Sequence, residues 1–76
     1  MPVKTMNNTL DSTVIIRYYV LAHDWNDVDH IQGQYEILRC SRRRGGTIIA
    51  CDMTPYNAMR FELKYADIIL ARETIA

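Results

Sequence analysis

This 76-residue chain is poor in the residues that mark specialised classes. Two cysteines are too few for a zinc centre built on thiolates. In a chain whose opening residues carry no export-type apolar run, they read as reduced, buried thiols. The longest unbroken apolar stretch, Tyr18 to Ala22, is too short to span a bilayer. Nine Lys/Arg against nine Asp/Glu leave no net charge, so no global field steers the protein toward nucleic acid or an anionic membrane. Repeats and low-complexity segments are missing, and so are a phosphate-cradling glycine loop and a nucleophile beside a base. The expectation is therefore a cytoplasmic protein with no catalytic residues and no cofactor.

With only three glycines and two prolines, punctuation is sparse and each instance is informative. Thr13 to Ala22 is rich in Val, Ile and Tyr and is apolar on both alternating faces, which predicts a central strand. His23 to Gln34 is polar apart from Trp25, Val28 and Ile31, and reads as a long loop. Tyr35–Ser41 and Thr47–Asp52 read as two further strands joined by a tight Gly45-Gly46 turn. That turn sets a register with Cys40 opposite Cys51, Arg39 opposite Asp52 and Leu38 opposite Met53. Leu38, Cys40, Ile49, Cys51 and Met53 would then share one face.

Thr54 is suited to cap a helix and Pro55 to occupy its first position, so a helix is expected from about Thr54 to Glu73. A competing reading makes Asp67 to Arg72 a fourth strand. The lack of Gly or Pro after Pro55 favours the helix. The predicted fold is thus α+β, with a three-stranded antiparallel sheet followed by one C-terminal helix packed on it. Residues 13–76 form this single βββα domain, and residues 1–12 a flexible tail.

On a helical projection, Ala58, Phe61, Tyr65, Ile68 and Ile69 fall on one arc and Tyr56, Met59, Leu63, Ala66 and Leu70 on a second. Asn57, Arg60, Lys64 and Asp67 make the polar arc. One apolar arc suffices to seal a small core, so the other should be covered by a protein partner or a second copy of the chain. The acidic segment, with His23, Asp24, Asp27, Asp29 and His30 around Trp25, has divalent-metal ligand types but no metal-site spacing. Trp25 among Asp24, Asp27 and Asp29 better suits a protein-binding surface. Arg42, Arg43 and Arg44 form the one basic run and, in a second functional reading, carry nucleic-acid binding at the hairpin tip. The acidic and basic groups are expected at different ends of the molecule, meeting different partners.

In size, and in its order of strand, hairpin, Met53-Thr54-Pro55 and helix, the chain resembles small proteins of phages and mobile elements, among them anti-CRISPR inhibitors. That resemblance of layout implies a non-enzymatic interaction protein that occupies a surface of a larger host complex. The partner-binding set is then Tyr56, Met59, Leu63, Leu70, Trp25, Asp24, Asp27 and Asp29, with Arg42–Arg44 as the nucleic-acid alternative.

Overall fold

The computed structural model describes residues 14–75. The predicted tail, residues 1–12, lies outside the described residues. The elements run β1 (Ile15–Ala22), α1 (Trp25–Gln34), β2 (Glu36–Arg43), β3 (Gly46–Met53), α2 (Pro55–Tyr65), a 3₁₀ turn (Ala66–Ile68) and β4 (Ile69–Ile75). The four strands form one antiparallel sheet in the order β2-β3-β1-β4. Two β-α-β units therefore interleave, each receiving the other's first strand between its own pair, which is the split β-α-β arrangement. No helix among the described residues is long and apolar enough to cross a membrane.

The α+β class and the three predicted strands stand, but two elements differ from expectation. The segment His23–Gln34 is not a loop. Asp24 caps α1, its carboxylate accepting from the Asn26 N–H at 3.0 Å, and Val28 and Ile31, one turn apart, are buried. The predicted long helix ends at Tyr65, and the run Ile69 to Ile75 pairs with β1 as the fourth strand. Ile68-Ile69-Leu70 is too short an apolar run for periodicity to classify, and the free edge of β1 decides its state.

β1 is central, as its two apolar faces demand. Ile16, Tyr18, Val20 and Ala22 point to the helices with Ile49, Cys51 and Met53 of β3. Phe61 of α2 is the hub of this core, with its ring centroid 4.8 Å from Tyr18, 5.3 Å from Tyr35 and 4.9 Å from Tyr65. The Tyr18 hydroxyl donates to Glu62, which also meets Arg72 of β4 at 3.5 Å. The Tyr65 hydroxyl is buried and has no hydrogen-bond partner among the described residues.

The β2-β3 hairpin turns on Arg44-Gly45 instead of Gly45-Gly46, pairing Arg43 with Gly46 and Arg42 with Thr47. Gly46 has φ +147°, and a Cβ there would stand 2.6 Å from the Ala22 carbonyl, so the second glycine serves the strand junction. The shifted turn puts Cys40 opposite Ile49, not Cys51, and a further irregularity lies beyond it, between Ile37 and Arg39. Cys40 is exposed and only Cys51 is core. Leu38 is also exposed, correcting the predicted face. Asp52 pairs with its cross-strand neighbour Arg17 of β1, at 2.8 and 3.1 Å, instead of with Arg39.

Candidate functional site

Helical periodicity fixes the outer surface of α2. Because Ala58, Phe61 and Tyr65 face inward, Tyr56, Met59 and Leu63 must face away. Leu63 is 84% exposed, and Tyr56 and Met59 are each more than half exposed. Full burial of such side chains is worth roughly 1.5–3 kcal/mol apiece, a large fraction of the stability of a domain this small. Leu70 is exposed as well, but it belongs to β4, where the pairing with β1 is irregular, and not to the helix. The predicted five-residue arc is therefore a three-residue ridge on α2, with Ala66 in the 3₁₀ turn and one leucine on the neighbouring edge strand.

Beside the ridge lies a cleft of about 360 Å³ lined by His30 and Gln34 of α1, Tyr35, and Asn57, Arg60 and Lys64 of α2. No acidic residue lines it. Among the described residues neither Arg60 nor Lys64 has an ion-pair partner. Arg60 lies 5.9 Å from the Tyr56 ring and Lys64 5.5 Å from the Tyr65 ring. The sequence predicts Asn57, Arg60 and Lys64 as one polar arc, but gives no sign of the facing wall. His30 and Gln34 are spaced i, i+4 and share a face only if their segment is helical.

At another part of the surface, the acidic segment and the arginine run, expected at different ends, come together. The start of α1 and the β2-β3 turn line one hollow of about 240 Å³, which includes His23, Asp24, Trp25, Arg42, Arg43 and Arg44. His23 Nδ1 donates to the Gly45 carbonyl at 2.9 Å. The Arg42 guanidinium sits 5.0 Å from the centre of the Trp25 ring, which stays 59% exposed. Asp24 caps the helix, and Asp27 stands in its first turn where the helix dipole favours an anion. Asp29 is exposed further along. Asp24 and Asp27 thus have helix-terminal roles that a loop reading of the segment does not reveal. Among the described residues no three of His, Cys, Asp or Glu gather as a metal site would require.

Among the described residues nothing covers the sheet face away from the helices. Tyr19 of β1 and Ile48 and Ala50 of β3 floor a shallow hollow of about 450 Å³, walled by Leu38, Arg39, Ser41 and Arg43 of β2. Burial is the leading cause of every raised pKa among the aromatic and thiol groups. The Tyr18, Tyr35 and Tyr65 phenols are raised, and the Cys51 thiol moves from 9.0 to about 11. All four belong to the covered core or pack against it. Comparison with known proteins finds no matching family, no similar curated protein and no similar solved structure.

Proposed function

We propose that this domain is a non-catalytic interaction module that docks a protein partner, or a second copy of itself, on the outer face of α2. The single observation that carries this reading is the exposed run Tyr56, Met59 and Leu63, an apolar ridge that the described residues leave in water. The adjoining cleft supports it, because Arg60, Lys64 and His30 would favour acidic side chains placed beside the apolar contacts of a partner. An inhibitor that occupies a surface of a larger complex is one use of such a face, and it is the use that the resemblance of layout implies.

The test is the pair Met59→Glu and Leu63→Glu, made together. Both side chains lie outside the core, so the variant should keep its circular dichroism and unfolding midpoint, with a change of under about 0.5 kcal/mol. It should also lose self-association by light scattering, or lose the partner that the wild-type protein retains from its natural host. A variant that unfolds, or one that associates as the wild type does, removes the reading.

A further inference from the structure

We propose a second binding site, independent of the α2 ridge: the β2 edge of the sheet, with the turn that follows it, binds single-stranded nucleic acid. The protein has no net charge, yet four of its seven arginines, Arg39, Arg42, Arg43 and Arg44, lie on β2 and its turn. None of the four has an ion-pair partner among the described residues, whereas Arg17 is paired with Asp52 and Arg72 with Glu62. Unpaired guanidinium groups on an exposed edge match the phosphate oxygens of a polyanion, and they do so locally where the net charge does not.

The aromatic side chains make the choice of polyanion. Arg43 borders two hollows at once, one holding Trp25 on the helix side of the strand and the other holding Tyr19 on the open sheet face. A strand of phosphates following Arg39, Arg43 and Arg44 would pass between an exposed indole and a half-exposed phenol. Bases stack on such rings only when their faces are free, which single strands offer and duplexes do not. Arg42 already lies against Trp25 and holds the ring beside the arginine run. The one acidic side chain in the Trp25 hollow, Asp24, is engaged with the N–H of Asn26. Arginines on an edge strand also discourage edge-to-edge association, but that role requires neither four of them nor aromatic rings beside them. Only the binding reading uses the arginines and the rings together.

The experiment titrates the full chain into fluorescein-labelled oligo-dT and oligo-U of about ten nucleotides, with matched duplex, heparin and anionic phospholipid vesicles as alternatives. Binding to either oligomer should weaken with salt, with a slope of about −2 if Arg39, Arg43 and Arg44 each neutralise a phosphate. The fluorescence of Trp25, the only tryptophan, should change on binding. Trp25→Ala should weaken binding roughly tenfold. The joint change Arg42→Glu, Arg43→Glu and Arg44→Glu should abolish binding while leaving the unfolding midpoint and the oligomeric state of the wild type unchanged. The proposal is overturned by any one of these results: no salt-dependent binding, no change in Trp25 fluorescence, equal or tighter binding to duplex, heparin or vesicles, or undiminished binding by the folded charge-reversed variant. The wild-type measurements stand by themselves should a variant fail to fold.

Discussion

Tyr18 and Tyr19 are neighbours on β1, identical in chemistry, and they face opposite sides of the sheet. Tyr18 is fully enclosed, stacks on Phe61 and gives its hydroxyl to Glu62. Tyr19 is half-exposed on the uncovered face, 3.3 Å from Glu73 through its hydroxyl. Side-chain alternation sends every strand residue to one face or the other, but two helices cover only one of them. The covered face holds the stability of the domain. The uncovered face, the α2 ridge and the β2 edge are then available for contacts with other molecules.

The widest separation between the two faces should come from truncating one large side chain on each. Phe61→Ala removes the hub of the core and should cost about 3–5 kcal/mol, most of what a domain this small holds. Ile48→Ala, on the half-exposed open face, should cost about 1 kcal/mol. Urea unfolding followed by circular dichroism measures both, and equal losses would break the distinction between the faces.

Alkaline pH should act through the covered face. Cys51, Tyr18, Tyr35 and Tyr65 all hold their protons more tightly when folded than when unfolded. Below pH 9 both states are protonated and this contribution is fully present. Above it the unfolded chain binds fewer protons than the folded one, so stability falls as pH rises, with Cys51 acting from 9.0 to about 11. The slope per group is at most about 1.4 kcal/mol per pH unit. Unfolding midpoints across that interval should fall steadily, and should fall less for Cys51→Ala. A flat profile would mean that the thiol and phenols are not enclosed.

The smallest effects should separate two hydroxyls within the core. Tyr18→Phe removes a bond to a carboxylate and should lose about 1–2 kcal/mol. Tyr65→Phe removes an oxygen that has no partner among the described residues, and should be neutral or stabilising by up to about 1 kcal/mol. A reversed order in the same unfolding assay would show that Tyr65, not Tyr18, is the better satisfied hydroxyl.

How much of this was legible depends on how local each signal is. The Thr54-Pro55 cap, the inward arc Ala58, Phe61, Tyr65 and the strand nature of β1 and β3 follow from residues close in sequence. The α1 helix was obscured because its buried stripe amounts to Val28 and Ile31 amid carboxylates, with Gly33 in its last turn. Once Asp24 is read as a cap, those two residues one turn apart are the signal that could have revealed it. The hairpin register failed because both glycines were assigned to the turn, whereas Gly46 is demanded by the Ala22 carbonyl of a strand more than twenty positions earlier. Of the candidate sites, Tyr56, Met59 and Leu63 were readable as one helix face. The cleft opposite Arg60 and Lys64 and the meeting of Trp25 with Arg42 were not.

The sequence by itself determined which side chains share a face within each element, because periodicities of 3.6 and 2.0 are properties of the local backbone. It also determined that the chain holds more apolar surface than one small core can enclose. Only the tertiary structure decided that Ile69 to Ile75 would extend the sheet and not the helix, since the free edge of β1 satisfies backbone groups that a longer helix would have satisfied internally. The same assembly set the acidic start of α1 against the arginine turn. Which residues of different elements meet depends on strand order and pairing, and no local pattern encodes either.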